Sequence, residues 1–455
     1  MRPVSLRGIS LFLIAFFNMA LSQSPATMPV NTWLKIPNSR MMDVAANSDA
    51  ASIIAYSGAV LDTKRNRLVL WGGGHAACAN NEIYAYDINS LKWSRLTDPT
   101  VNPEVSVDEL WDGNPGSRHT YNGMAYIAHA DRMLETGGSV WGSGSANTGI
   151  LWSFDFAANT WSKRNPTGTT PGAGFECNAS YDPETKKLWW GDDDLVYWRG
   201  HGAGLYSYDY DQDVWTKHTS DALTYLTSTI DTKRGLLVLV GQGVVFAYNI
   251  RSGTPVKQIW TTTGGDAYVA SYSGAGLDYD SIADKIVGFN GDGFIYALNP
   301  DTKAWSVYTP SGTQPQPSGY GPRTWGRFRY VPAVNAFVVV SDANDAVYFY
   351  KLTAGTGTGI ATGSPRMPSP GAVFRAWPNP FCASTRISAS LEGKTAGMTL
   401  GICDISGKLI KSFSADGKTL ASGIEWSPGA LPAGIYLLKV KDVNKNYTVK
   451  LMYRK

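Results

Sequence analysis

The chain lacks the features of several large protein classes. Its 455 residues carry 40 basic and 37 acidic side chains, for a net charge of +3. No basic stripe is present, so nucleic acid is not an expected partner. One apolar run, residues 9–21, follows Arg2 and Arg7 and ends in Ala20-Leu21-Ser22. This pattern is typical of a secretory signal peptide, so residues 1–22 are predicted to direct export, leaving no transmembrane segment in the mature protein.

Cysteine is scarce, with four residues in the whole chain. Export to an oxidising compartment permits disulfides. Cys382 and Cys403 fall close together in the C-terminal region and are the candidate pair. Cys78 and Cys177 are separated by several predicted strands, so a bond between them is not expected.

What the chain does contain is a repeat. Six times an apolar strand is followed by a loop and an aromatic strand, and in four cases a tryptophan follows six residues after that strand's last residue, for example Asp87 to Trp93 and Asp155 to Trp161. Short apolar runs of this kind must bury both faces, which favours stacked sheets. The six aromatic strands read IYAYD from residue 83, LWSFD from 151, LYSYD from 205, VFAYN from 245, IYALN from 295 and VYFYK from 347.

The sixth unit has no fourth strand of its own. Near the N-terminus, however, Asn31-Thr32-Trp33 repeats Asn159-Thr160-Trp161 of the second unit. We expect this segment to supply the missing strand. Four-stranded units at a period of about 40–50 residues are typical of β-propellers, which protect their sheet edges by radial repetition. The sequence therefore predicts an all-β, six-bladed propeller over residues 23–352, closed by its N-terminal strand.

The glycines that follow the second strands, Gly72-Gly73-Gly74 and Gly137-Gly138, together with the Tyr-Asp to Trp spacing, resemble those of kelch and galactose-oxidase-like propellers. The resemblance covers residues 31–352 and implies the fold. It carries little information about activity, because one fold hosts many functions.

Residues 353–372 are rich in Gly, Pro, Ser and Thr and are predicted to form a flexible linker. Beyond them, residues 373–455 alternate like a small Ig-like β-sandwich. Their motifs Pro-Asn-Pro-Phe, Asp-Ile-Ser-Gly-Lys and Leu-Pro-Ala-Gly-Ile-Tyr are similar to those of the C-terminal sorting domain of the type IX (Por) secretion system. The resemblance implies that the type IX machinery is a partner and that the protein is secreted or displayed on the outer surface of a didermal bacterium.

Candidate functional residues concentrate in the long loops of one predicted face, where a rigid scaffold usually presents its site. The candidate catalytic residues are His119 and His75 as bases, Tyr121 as acid and Arg118 as charge neutraliser. Aromatic faces suit sugar rings, and arginines suit acidic groups. The candidate ligand-binding residues are Glu176, Trp198, Arg199, His201, Arg323, Trp325 and Arg327.

Several alternatives stay open. His75, His119, His201 and Glu176 together could hold a divalent metal such as zinc or manganese, although they have no local ligand spacing. A copper radical site is disfavoured because no family motif aligns. The run Asp192-Asp193-Asp194 could bind calcium. His119 and Arg118 could instead have a structural role, bonding to neighbouring loops.

Two functions follow. The first is an exported propeller that binds an extracellular glycan or protein through its long-loop face. The alternative is a carbohydrate-active enzyme, in particular a polysaccharide lyase acting on an acidic polysaccharide.

Overall fold

The computed structural model describes residues 23–74, 76–142, 149–192, 204–271, 274–319, 321, 323–355, 357, 373–377, 381–390, 398–404, 408–415, 419, 423–441 and 446–454. It is all-β, with many small antiparallel sheets. The chain divides into two compact units, Met1–Thr362 and Gly363–Lys455. The division falls inside the predicted linker.

The described residues of the larger unit form six sheets of at least four strands, numbered here in chain order. Their strand pairs are antiparallel, except for one short parallel pair in sheet 3. In the first strand of each sheet, the side chains on both faces are mostly buried, as the short apolar runs predict. Sheet 1 comprises β2 (Ala59–Asp62), β3 (Arg67–Leu70), β4 (Tyr84–Asp87) and β5 (Lys92–Arg95), after β1 (Thr32–Lys35) and two 3-10 helices, Met41–Val44 and Ser48–Ile54. The short β6 (Arg118–His119) leads into sheet 2, with β7 (Met124–Ile127), β8 (Arg132–Glu135), β10 (Trp152–Asp155) and β11 (Thr160–Lys163), and pairs with β9 (Ser139–Val140).

Sheets 3 to 6 repeat the arrangement. Sheet 3 comprises β12 (Thr167–Gly168), β13 (Asn178–Asp182), β14 (Lys187–Asp192), β15 (Gly204–Asp209) and β16 (Val214–Lys217). Sheet 4 comprises β17 (Thr227–Asp231), β18 (Leu236–Gly241), β19 (Val244–Asn249) and β20 (Lys257–Ile259). Helix α1 (Asp266–Val269) precedes sheet 5, with β21 (Gly276–Asp280), β22 (Lys285–Phe289), β23 (Ile295–Leu298) and β24 (Trp305–Tyr308). After a 3-10 turn, Trp325–Arg327, sheet 6 contains β25 (Phe328–Val331), β26 (Ala336–Val339) and β27 (Tyr348–Lys351).

The fourth strand of sheet 6 is β1, from the other end of the unit. It runs antiparallel to β27, with Trp33 opposite Tyr350. The Trp33 ring packs on Phe289 and Tyr350, each with ring centroids 5.2 Å apart. A segment more than 300 residues upstream thus completes the last sheet, as the Asn-Thr-Trp match predicts.

The first strands of the sheets contact one another in a fixed order. β2 contacts β7, β7 contacts β13, and the series continues through β17, β21 and β25, which in turn contacts β2. A cavity of about 350 Å³ is lined by these six strands and by the turns that follow them. All six sheets therefore present their first strand to one shared space.

Aspartates fix the turns that make the units alike. The carboxylate of Asp87 accepts hydrogen bonds from the backbone N–H groups of Asn89 and Ser90, and Asp155 does the same for Ala157 and Ala158. Side-chain capping of a turn by Asp explains why it recurs there. It also explains the constant spacing to the tryptophan of the next strand.

Two arginines form equivalent ion pairs between neighbouring sheets. Arg65 binds the carboxylate of its own turn and forms a bidentate pair with Asp131 of sheet 2, at 2.7 and 2.8 Å. Arg234 repeats the arrangement between sheets 4 and 5, reaching Asp284 at 2.7 and 2.9 Å. We call these pairs the latches. Bidentate geometry is the strong form of this ion pair.

The smaller unit contains two sheets. One comprises β28 (Val373–Trp377), β29 (Thr385–Ser390) and β32 (Ile424–Trp426); the other comprises β30 (Met398–Asp404), β31 (Leu409–Ala415), β33 (Gly434–Lys441) and β34 (Asn446–Tyr453). Its core is built on Leu400, Ile402, Trp426 and Leu438. The two cysteines of the candidate disulfide are both free thiols in this structure; Cys403 is buried in β30 and Cys382 is exposed.

Candidate functional site

Six residues occupy equivalent positions just before the first strands. Each lies six residues before the last residue of the first strand of its sheet, where that strand pairs with the start of the second strand. The last residues of the first strands are Asp62, Ile127, Asp182, Asp231, Asp280 and Val331. We call the six residues at the equivalent position the lead-in residues. They are Tyr56, Tyr121, Glu176, Tyr225, Gly274 and Trp325.

Five lead-in residues have left-handed backbones. Four of them are bulky, with φ of 50° at Tyr56, 48° at Tyr121, 59° at Tyr225 and 40° at Trp325. A positive φ in a bulky residue costs about 1 kcal/mol or more and is often retained at functional sites. Its recurrence at equivalent positions indicates that the chain repeatedly holds an aromatic side chain in one orientation.

Backbone hydrogen bonds join lead-in residues of adjacent sheets. The N–H of Tyr121 donates to the carbonyl of Tyr56 at 2.8 Å, and that of Trp325 donates to Gly274 at 2.7 Å. The N–H of Tyr225 donates to Glu176 at 3.3 Å. The lead-in residues are therefore neighbours in space as well as equivalent in sequence.

Three aromatic lead-in residues, Tyr56, Tyr121 and Trp325, form a cluster with His119 and Phe175. The Tyr56 ring lies 4.7 Å from His119 and 5.2 Å from Trp325, between centroids. Tyr121 contacts Phe175 at 5.4 Å and Trp325 at 6.3 Å. Such distances are those of favourable aromatic pairs.

This cluster faces a cavity of about 600 Å³. Its lining comes from the lead-in segments of sheets 1 to 3 and from the loop after β3. The lining residues are Ser52, Ala55, Tyr56, Ala76, Ala77, His119, Tyr121, Phe175 and Glu176. Three sequence candidates, His119, Tyr121 and Glu176, are thus brought together, and Trp325 packs behind two of the lining rings.

His119 and Tyr121 lie side by side in this cavity. Their ring centroids are 5.8 Å apart and nearly perpendicular. The Tyr121 hydroxyl lies 3.4 Å from the Ser139 hydroxyl, and burial raises the pKa of the phenol well above its ordinary value. Tyr121 is therefore a neutral hydrogen-bonding group at physiological pH.

Glu176 is the acidic group of the cavity. It is 7% exposed, and burial raises its pKa to about 8. Arg323 opposes this shift by favouring the carboxylate, whereas Asp192 adds to it. The Asp192 carboxylate accepts a hydrogen bond from the N–H of Phe175 at 2.8 Å, which anchors the segment that carries Glu176.

Arg118 makes contacts that favour the structural alternative. Its guanidinium is buried against Asp108 and lies 3.6 Å from Glu135. It also donates to the carbonyls of Gly116 and Gly137. Successive residues of a strand point to opposite sides, so Arg118 is buried in the loops while its neighbour His119 lines the cavity.

Arg327 also binds backbone. It donates to the carbonyls of Ile54 and Ser57 before sheet 1, at 2.6 and 2.5 Å, and to Val340 in sheet 6 at 2.9 Å. Burial lowers its pKa to about 9, which leaves it protonated at neutral pH. Its contacts hold the lead-in segment of sheet 1 against sheet 6.

Several residues predicted for the site lie outside the described part of the chain. They are His75, Trp198, Arg199 and His201, with Asp193 and Asp194 of the acidic run. Within the described part of the chain, no group of three or more His, Cys, Asp or Glu side chains is arranged to hold a metal ion. The described member of the acidic run, Asp192, is 3% exposed and already bonded to Phe175.

Three residues of the site, Tyr56, Phe175 and Tyr225, are not among those predicted from the sequence. All three lie directly before or within lead-in segments, where no strand pattern marks them. The signal that could have found Tyr56 and Tyr225 is the constant six-residue offset from the end of the first strand. Phe175 has no comparable signal.

Comparison with known proteins identifies the C-terminal region. A family model described as "Secretion system C-terminal sorting domain" matches residues 375–454. This match supports export through the type IX secretion system, to the cell surface or beyond it. No curated protein matches the chain with significant similarity. None of the helices in the described ranges has the length and apolar character to cross a bilayer.

Proposed function

We propose that residues 23–352 form a six-bladed β-propeller of the kelch and galactose-oxidase type, which binds an extracellular glycan. Three observations support the fold. The described part of residues 23–352 forms six sheets of four or five strands, their first strands contact one another in an order that returns to its start, and β1 completes the last sheet. Residues 353–372 then act as a linker, and residues 373–455 deliver the protein through the type IX machinery.

The observation that carries glycan binding is the cavity walled by Tyr56, Tyr121, Phe175 and His119. Aromatic faces give sugar rings a large apolar contact with little loss of side-chain entropy. A carboxyl group and a histidine at the same wall supply hydrogen bonds that orient a ligand. The cavity volume of about 600 Å³ is within the range of small-molecule sites, and would accommodate one or two sugar units.

Titration calorimetry tests this function. The mature protein is titrated with a panel of neutral, acidic and basic oligosaccharides. Tyr56→Ala removes one wall of the cavity and should weaken binding by about two- to tenfold, the loss that corresponds to an aromatic contact of about 0.5–1.5 kcal/mol. Trp111→Ala is the matched control, since Trp111 is 73% exposed and lies outside the described lining of the cavity. Equal binding by the wild type and Tyr56→Ala would contradict the proposed site.

A polysaccharide lyase is the second candidate. It is favoured by one observation, the proximity of His119 and Tyr121 in one cavity, since a base and an acid are what β-elimination requires. Absorbance of the unsaturated product, measured with acidic polysaccharides, tests it. Turnover that is lost in His119→Ala while binding is retained would establish the enzyme; binding without turnover by the wild type would exclude it.

A further inference from the structure

The charge of the cavity points to a particular class of glycan. Among its described lining residues, Glu176 is the only carboxylic acid, and none is a lysine or an arginine. Of the candidate arginines, Arg118 and Arg327 are bonded to Asp108 and to backbone carbonyls, and Arg323, which acts on Glu176, is not among the described lining residues. A uronate or sulfate would therefore meet aromatic faces and a carboxyl group in the described part of this cavity.

Aromatic faces combined with a carboxylate suit the opposite charge. The electron-rich faces of Tyr and Trp attract an ammonium group by about 0.5–2 kcal/mol, and a carboxylate adds a charge-assisted hydrogen bond. Tyr56 and Tyr121 supply the faces, with Trp325 packed against both rings, while Glu176 supplies the acid at the equivalent position of sheet 3. Sheet 3 is thus the one sheet that places a carboxyl group where four others place an aromatic ring.

We infer that the cavity binds a polysaccharide of amino sugars with free amines, whose ammonium group is held between the aromatic lead-in rings and Glu176. The inference rests on the proposed glycan-binding function. It names the substrate class of the same site.

Binding of an ammonium group should change the protonation state of Glu176. The groups that act on Glu176 are Arg323, which favours its ionised form, and Asp192, which disfavours it; His119 and Tyr121 share the cavity. With a pKa of about 8 in the empty cavity, Glu176 is largely protonated at pH 7. An adjacent ammonium ion favours the carboxylate, so binding should release a proton from this group to solvent.

The test uses two ligands that differ at one group of each sugar, which is a charged amine in one ligand and a neutral acetamide in the other. The full chain without its signal peptide is titrated with a glucosamine oligosaccharide, in which the amines are free, and with the matching N-acetylglucosamine oligosaccharide. Wild-type protein should prefer the free amine by at least about tenfold, as one charge-assisted contact predicts. Glu176→Gln should abolish the preference, and because Gln imitates the protonated carboxyl, this variant should fold normally.

Glu184→Gln is the matched control. Glu184 lies in the turn between β13 and β14, at the other end of the same sheet, where its carboxylate is 63% exposed. It should keep the full preference. Calorimetry at pH 7 in two buffers of different ionisation enthalpy should show proton release for wild type and for Glu184→Gln, but not for Glu176→Gln.

The outcomes separate the inference from the function on which it rests. Equal affinity for both ligands, or tighter binding of the acetylated one, would overturn the amine inference and leave glycan binding intact. Binding of neither ligand, nor of any other glycan in the panel, would overturn both. A preference retained in Glu176→Gln would show that Glu176 is not the group that selects the amine.

Discussion

Trp33 lies directly opposite Tyr350 in the pair of strands that joins the two ends of the larger unit, with ring centroids 5.2 Å apart. The Trp33 side chain is 3% exposed. Truncating a buried tryptophan typically costs about 3–5 kcal/mol. Trp33→Ala should therefore lower the free energy of unfolding of the larger unit by about this amount, measured by urea denaturation. Trp111→Ala, at an exposed tryptophan, should change it by less than about 0.5 kcal/mol; equal effects of the two variants would contradict the packing described for β1.

Arg327 connects sheet 6 to the segment before sheet 1. Arg327→Met keeps the length of the side chain but leaves the carbonyls of Ile54 and Ser57 without this donor. Each buried group that loses its partner costs about 1–3 kcal/mol, so a loss of about 3 kcal/mol is expected in urea denaturation. Arg40→Met, at an arginine whose side chain is 56% exposed, should have little effect. A tolerated Arg327→Met would show that these bonds do not stabilise the contact between the two sheets.

The Arg65 latch should make stability sensitive to acid. Hydrogen bonds from Arg65 hold the pKa of Asp131 well below its usual range. The folded-state pKa is thus depressed, so the contribution is present above about pH 4, the ordinary pKa of Asp, and is lost as the pH falls toward the folded value.

Asp131→Asn should accordingly lower the free energy of unfolding by about 2 kcal/mol at pH 7, the scale of hydrogen bonds to a charged group. The difference from wild type should shrink as the pH falls below about 4. Asp98→Asn, at an aspartate whose side chain is 82% exposed, should track wild type throughout. A constant difference for Asp131→Asn at every pH would contradict the ionic origin of the latch.

Glu176 should act on stability in the opposite sense. Its pKa in the folded protein is raised to about 8 by burial. Between about pH 4.5 and 8 the unfolded carboxyl is ionised while the folded one retains its proton, so stability should decline as the pH rises through this window. Glu176→Gln cannot ionise and should gain stability relative to wild type across the same range. Urea denaturation at pH 5, 7 and 8.5 measures the gap, and a gap that does not grow with pH would mean that the carboxyl is solvated.

The sorting domain should be required for delivery. Deleting residues 373–455 removes the region matched by the family model and leaves the larger unit with its own cores. In a bacterium with a working type IX system, the shortened protein should accumulate in the periplasm instead of reaching the surface or the medium. Cell fractionation and immunoblotting measure this. Delivery at the full-length level would show that another signal directs export.

Burial and repetition could be predicted from the sequence, whereas contacts that depend on local backbone geometry could not. The strand of Trp33 could be assigned to sheet 6 because its Asn-Thr-Trp motif copies an outer strand elsewhere in the chain. The convergence of His119, Tyr121 and Glu176 could be predicted because each precedes or begins a first strand. A structural role for Arg118 was one of the two alternatives left open, because nothing in the sequence shows which side of β6 faces the cavity. Tyr56 was not predicted, because only the six-residue offset from the end of the first strand marks its position, and no residue pattern indicates the positive φ that turns its ring into the cluster.

The lead-in residues have one further consequence, for how such a scaffold diversifies. Their backbone bonds to one another use only N–H and carbonyl groups, so the side chain at the five places other than Gly274 can be exchanged without removing the bonds that set its location. At Gly274 a Cβ would lie 2.6 Å from the Trp325 ring. Tyr, Trp, Gly and Glu already share this role in a single molecule. A homologous protein could therefore bind a different ligand after one substitution at a lead-in position, while the surrounding sheets remain as they are.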